Sequence, residues 1–211
     1  MNQAASILIA IVVLSVGIWL VPLVHLVPLK STREVSTDSA FNPSVFVEKF
    51  WSERLLNSVD KAVDSAALLA EIKQNSKEAR DKHGRTLGLS STYYYFVSGT
   101  GHIVAVDKDS VSLTLGAKDS TVDIILETGN IFGNAVRDGT GLIDVNDYPN
   151  SRDFNDISSE INRRIEERVL PPLRAKATVG ATVHFAGCAE ISSETTDLHP
   201  LVLVPIVAEV Q

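Results

Sequence analysis

The side chains best suited to chemistry gather in one stretch. Arg137 and Asp138, then Asp144, Asn146, Asp147, Asn150 and Asp153, crowd hydrogen-bonding groups into residues 137–153. Three uses compete for such a set. In the first, Arg137 donates two parallel hydrogen bonds to one carboxylate and fixes an irregular connection, while Asn and Asp bond the local backbone. In the second, Arg137, Asp138, Asn146, Asp147 and Asn150 organise a polar recess for a hydroxylated small molecule or a partner's loop. In the third, two of Asp138, Asp144, Asp147 and Asp153 act as acid and base on an envelope polymer, which needs two carboxylates facing each other at about 5 to 10 Å.

Other chemistries lack their residues. Gly129-Asn130-Ile131-Phe132-Gly133 is a tight glycine-flanked segment without the Lys-Ser/Thr of a phosphate loop. No serine stands in a nucleophile elbow. Asp107 and Asp109 flank Lys108 at a hairpin tip, without the spaced oxygens and closing Glu of a calcium loop. The lone Cys188 makes neither an internal disulfide nor a multi-cysteine zinc site. His25, His83, His102, His184 and His199 are scattered. His184 and Cys188 share a face of one regular strand, but four residues along a strand is roughly 13 Å. Cys188 therefore reads as a small buried hydrophobe. The expectation is no catalytic residue, no metal and no cofactor. In Tyr93-Tyr94-Tyr95-Phe96, strand alternation sends two rings to the core and two outward, to pack on a helix or to stack on a sugar or peptide.

These residues need elements to hold them. Of 211 residues, 45% are apolar and 21% charged, enough for an anchor and one domain with a core. Acidic residues outnumber basic ones 26 to 19, a net charge of −7, with no Lys/Arg cluster. That field repels phosphate backbones and argues against nucleic acid. Residues 4–29 carry no charged side chain, and about 20 apolar residues span a bilayer as a helix. A cleaved leader would need a basic start and a small-x-small cleavage site, which Val27-Pro28-Leu29 is not. An uncleaved transmembrane anchor over 1–29 fits best, with the membrane as the first partner. Lys30 and Arg33 alone would turn the domain toward the cytoplasm.

A polar linker over 30–42 leads to Asn42-Pro43, a helix start. Val47, Trp51, Leu55, Val59, Ala62, Ala66, Leu69 and Ile72 then recur at helical spacing. A shorter helix follows over 77–82, closing a helical segment at 43–84. Beyond Gly84 the chain alternates: strands over 92–106, 110–115 and 121–127, a helix over 154–170 stopped by Pro171-Pro172, and strands over 182–191 and 201–210. Strand, strand, strand, helix, strand, strand is the order of an OB-type barrel. The expected fold is thus α+β: a transmembrane helix, an amphipathic helix, then a five-stranded OB-like β-barrel over 85–211 with a helix between its third and fourth strands. A generic α+β sheet with helices on one side is the alternative.

The same residues resemble a family. Phe50-Trp51, Lys61-Ala62-Val63-Asp64, Leu68-Leu69 and Gly84 match the helical part of the bacterial predicted periplasmic lipoproteins known as domain of unknown function 2291. Phe96-Val97 with Gly99, Gly101 and Val104 is similar to that family's first strand. Gly129 to Gly133, followed by Ala135-Val136-Arg137-Asp138, resembles its glycine-flanked turn and Arg-Asp pair. Ile143, Asn146-Asp147-Tyr148, Asn150, Asn162, Leu170 and Leu173 resemble its Asn-Asp-aromatic signature and following helix. Val183, Phe185, Gly187 and Val204-Pro205 match its last strands, so the likeness spans about 41–210. It implies an extracytoplasmic domain, which outweighs the two flanking charges, and an accessory role beside sugar ABC transporters, with a permease or solute-binding protein as partner. It carries over no catalytic residue. Two departures stand out. There is no lipobox cysteine, which favours the helical anchor in the inner membrane, and Pro149 replaces an expected Thr.

Overall fold

Asn42 starts the first helix, α1 (Pro43–Phe50), because its side chain accepts a hydrogen bond from the backbone N–H of Val45 while Pro43 sits where no donor is needed. The computed structural model describes residues 41–116, 121–148 and 150–211. The helix continues through a π turn (Trp51–Leu55) and a 3-10 turn (Leu56–Lys61), then stops. Val63–Asp64 forms a short strand, β1, before Asp64 caps α2 (Ser65–Gln74) and Asn75 caps α3 (Ser76–His83). The single long helix expected over this stretch is therefore two. Its apolar spacing runs unbroken in the sequence, but Asp64 offers its carboxylate to Ala67 N–H and ends the first helix by starting the second.

The remaining strands are β2 (Arg85–Thr86), β3 (Tyr93–Val106), β4 (Ser110–Thr114), β5 (Ile124–Glu127), β6 (Thr182–Ile191) and β7 (Leu201–Val210). Between β5 and β6 lie α4 (Ala135–Gly139), a 3-10 turn (Val145–Asp147), α5 (Ser151–Arg164) with a π turn after it, and α6 (Leu170–Lys176). Pro171-Pro172 does not stop the helical run as expected. The prolines occupy the first turn of α6, where a missing N–H costs nothing.

The fold class is α+β, and two parts of the expectation are corrected. The sheet is not the five-stranded barrel expected but seven-stranded, in the order β1-β3-β4-β5-β7-β6, with β2 on β3 and β6 also paired with β3. The added strands come from residues that read as helix or turn: β1 runs parallel to Val97–Ser98, and β2 lies antiparallel to Tyr93–Tyr94. Among the described residues, no helix is long and apolar enough to cross a membrane. The segment 1–29, expected as a transmembrane helix, lies outside the described residues, as does Pro149.

Two apolar clusters cover opposite faces of β3 and β6. Tyr93, Tyr95 and Val97 join Leu69, Ile72, Leu113, Leu126, Phe185 and Leu203 in one. Tyr94, with Phe96 against it, joins Phe50, Leu55, Phe154, Ile157, Ile161, Cys188 and Ile206 in the other. The run alternates as expected, and of its two outward uses it takes packing on a helix, because α1, α4 and α5 cover the face that would have met water. The strand order and the helices thus agree on where each ring goes. His184 and Cys188 keep to one face of β6, since the bulge at Ala186/Gly187 puts its extra residue, Ile206, in β7; His184 is exposed, against the Thr100 hydroxyl at 2.6 Å, and Cys188 is fully buried.

Ion pairs tie the helices together. The buried Arg164 reaches Glu48 of α1 at 3.0 Å and the carbonyl of Ser44 at 2.8 Å, and also pairs with Glu160. Hydrogen bonds from Arg163 hold the Glu160 carboxyl down to about 2, well below the usual carboxylate range.

Gly187 marks a close strand–strand approach: a Cβ there would stand 2.5 Å from the carbonyl oxygen of Val204. Gly187→Ala should lower the thermal midpoint by the equivalent of about 1–3 kcal/mol, the cost of overpacking a filled site, as read in a calorimetric melt. An unchanged midpoint would mean that β6 and β7 are not packed this closely.

Candidate functional site

Arg137 and Asp138 form one buried unit rather than two contacts. They are 3% and 6% exposed. Arg137 donates from Nε to Asp138 Oδ1 at 2.6 Å and from Nη2 to Oδ2 at 2.9 Å. Its Nη1 donates to the carbonyl of Phe154 at 3.1 Å and to Asn155 Oδ1 at 3.3 Å, and its plane lies 3.6 Å from the centre of the Phe154 ring. A buried charge needs such a complete set of partners. The pair therefore locks α4 onto α5.

The rest of the expected contact set serves the local chain. Asp144 Oδ1 accepts from Asn146 through both its backbone N–H and its Nδ2, at 2.9 and 2.8 Å. Asn150 caps α5 by accepting from Asp153 N–H at 2.8 Å. Asp147 is exposed in the 3-10 turn. Tyr148, next to it, packs its ring against Phe41, Phe46 and Phe154 at 5.7–6.1 Å. Arg137 and Asp138 are thus inside while Asn146, Asp147 and Asn150 stand at the surface. The five do not share one recess.

The surface that does concentrate unused groups centres on Phe132, a residue the sequence reading passed over. It is 78% exposed. The loop that carries it is held on every side. Thr128 and Gly129 donate backbone N–H bonds to the carbonyl of Asp109, Ile131 N–H donates to Glu166 Oε1 at 2.7 Å, and Asn162 Nδ2 donates to the carbonyl of Gly133 at 3.0 Å. Ile131 is buried beneath, and Gly133 takes φ +80°, a left-handed turn that a side chain resists. Anchored below and turned above, the loop holds a phenyl ring in water without freedom to fold it away.

Three recesses meet at this ring. One, of about 570 Å³, runs along α5 past Asn155, Ser158, Asn162 and Glu166. A second, of about 390 Å³, is lined by Glu127, Cys188, Glu190 and Asp197. The third, of about 580 Å³, includes Lys108, Asp109 and Glu127. In the second, burial and the neighbouring Glu190 charge raise the Glu127 carboxyl above its ordinary range. Burial likewise pushes the Cys188 thiol up, so it stays protonated and inert. The signal for this surface was present in the sequence. Residues 155, 158, 159, 162, 163 and 166 form a polar stripe at helical spacing, and Ile131-Phe132 is an apolar pair between Asn130 and Gly133.

Two measurements follow from these geometries. Arg137→Met should cost about 3–5 kcal/mol in a denaturant titration, because it strands the Asp138 charge, and adding Asp138→Leu should return most of that loss. If the single and double variants are equally stable, the pair is not a buried unit. The raised carboxyl of Glu127 binds its proton more tightly folded than unfolded, so its contribution to stability falls as pH rises beyond the ordinary carboxylate range. Glu127→Gln should therefore raise the melting temperature at neutral pH, with the gain shrinking on acidification. A gain that grew on acidification would contradict the assignment.

Comparison with known proteins bears on this arrangement in three ways. The chain is similar to an OB-fold protein from Thermotoga maritima whose crystal structure superposes with a TM-score of 0.72 at 25% identity, covering 82% of this chain and 99% of that one. No curated protein matches it. The family model described as predicted periplasmic lipoprotein, DUF2291, matches residues 8–209. Matched over nearly its whole length, the chain belongs to the DUF2291 family of predicted periplasmic lipoproteins.

Proposed function

We propose that the protein is a non-enzymatic accessory subunit outside the cytoplasm, working beside a sugar-type ABC transport system and engaging its permease or solute-binding protein. The family, one of predicted periplasmic lipoproteins, is consistent with an extracytoplasmic protein. The observation that carries the reading is the exposed Phe132 on a loop pinned by Asp109, Asn162 and Glu166. A large ring fixed in water gains most of its burial energy when a partner covers it, and its ordering cost is already met by the fold. The acidic character of the chain disfavours nucleic acid as that partner.

The hydrolase alternative finds less support in this geometry. Asp138 is neutralised by Arg137, Asp144 and Asp153 are committed to the starts of helical turns, and Asp147 is exposed. These commitments count against the hydrolase alternative.

Affinity purification of the full-length protein from detergent-solubilised membranes should retrieve a transport permease or a solute-binding protein. Phe132→Ser should reduce that yield by roughly tenfold or more, as loss of a central aromatic contact does. Repeated retrieval of neither component, or an undiminished yield from the variant, would overturn the reading.

A further inference from the structure

Two histidines far apart in the sequence become neighbours on the sheet. β3 and β6 pair antiparallel in one unshifted register from Tyr93↔Ile191 to His102↔Thr182, which sets Thr100 opposite His184 and Thr182 opposite His102. Cross-strand partners and residues two apart share a face, so these four side chains stand together. The same face carries Tyr94, Phe96 and Cys188 farther along, where α1, α4 and α5 cover it. At this end it meets water: Thr100, His102 and His184 are exposed. His102 and His184 are diagonal neighbours, a spacing of about 7–8 Å that long and aromatic side chains can bridge.

Each ring is held by the same nitrogen. The Thr100 hydroxyl lies 2.6 Å from His184 Nδ1, and the Thr182 hydroxyl lies 3.3 Å from His102 Nδ1. With the threonine oxygen accepting, the ring donates from Nδ1–H and keeps a lone pair on Nε2, the form in which neutral imidazole binds a metal. A hydrogen bond to the far ring nitrogen is also how proteins orient a metal-binding histidine and raise its basicity. His83, by contrast, spends its Nε2 on Glu71 at 2.9 Å. The donor type selects the ion. Imidazole suits zinc, copper and nickel, whereas magnesium and calcium take oxygen ligands. Glu209 of β7 stands opposite His184 and adds a negative charge to the cluster. Among the described residues no three His, Cys, Asp or Glu side chains form a group that could hold a metal ion, so the protein's share is the two rings and water fills the other positions.

We infer that His102 and His184 form a two-histidine site for a divalent transition metal of the zinc class, with Thr182 and Thr100 orienting the rings and the remaining positions open to solvent. None of these residues lines the recesses around Phe132, and the inference does not rest on the accessory reading. Thr100 is a positioning residue here and not merely a surface hydroxyl, a distinction that can be measured.

The test is calorimetric titration of zinc chloride into the full-length protein in detergent micelles, without a histidine tag. One zinc ion should bind per chain and raise the melting temperature, while magnesium and calcium chloride should do neither. His102→Gln and His184→Gln should each lower the zinc affinity by roughly 100-fold or more, beyond what the loss of an orienting partner costs. Thr100→Val keeps the strand and both imidazoles, and should lower it by about tenfold through loss of the orienting hydrogen bond alone. The substitutions lie at exposed positions, so the metal-free variants should melt as the metal-free wild type does. Histidine-ring NMR on the wild type needs no variant: zinc should shift the rings of His102 and His184 together and leave those of His83 and His199 in place. No zinc binding, an equal response to calcium, an affinity unchanged by either histidine variant, or a shift at only one of the two rings would overturn the inference. An affinity indifferent to Thr100→Val would overturn it as well, since the ion would then be held adventitiously by surface imidazole and not by an oriented pair.

Discussion

A guanidinium out of water must have its donors answered where it lies, and the buried Arg137 imposes that condition on this domain. Asp138 takes two donors in a bidentate pair, the carbonyl of Phe154 and the Asn155 amide take a third nitrogen, and the Phe154 ring covers the plane. None of these partners can shift without stranding a charge. The arrangement therefore fixes α4 against the first turn of α5. It also sets where the loop from β5 must arrive and which way the Asn155 amide faces. The surface around Phe132 inherits its geometry from a pair that never reaches solvent.

The second constraint is that β3 and β6 are buried on both faces. One face of β3 sends Tyr93, Tyr95 and Val97 into the cluster under α2 and α3, and the other sends Tyr94 and Phe96 beneath α1, α4 and α5. A sheet covered on both sides needs backbone to come close in places, and Gly139 is one of them. A Cβ there would stand 3.0 Å from Cys188 and 3.3 Å from the Tyr94 side chain. The five-residue α4 can therefore lie flat on the strands and deliver Arg137 to α5. Function and packing share that helix, which explains why the Arg-Asp pair and the glycine-flanked turn before it occur as one sequence block.

Much of this was legible before any coordinates. The last two strands fall at 182–191 and 201–210 as the alternation implied, and Asn42-Pro43 opens a helix as its chemistry required. The misses share a cause: a local pattern carries the period of an element but not its tertiary partner. Apolar spacing from Val47 to Ile72 ran through Ala62–Asp64 without a gap, yet Leu55 and Leu69 belong to different clusters, separated by the Asp64 cap and the pairing of Val63 with Val97. The Asp-rich run allowed both a structural and a contact reading because burial is invisible in composition. Arg137 and Asp138 turned inward, while their neighbours became caps. Sequence proximity grouped residues that the fold sends apart.

The polar stripe of α5 has the opposite history. Asn155, Ser158, Asn162 and Glu166 are spread over twelve positions in the chain, so no short motif announces them, yet one helix face brings them to one recess. Two of them, Asn162 and Glu166, spend half their capacity holding the Phe132 loop and keep the other half turned out. Beside them Arg163 is engaged by Glu160 and Glu167. Any substitution that loosened the loop would therefore disperse these polar groups as well, because the amide and the carboxylate that hold the ring belong to the helix face that carries the stripe.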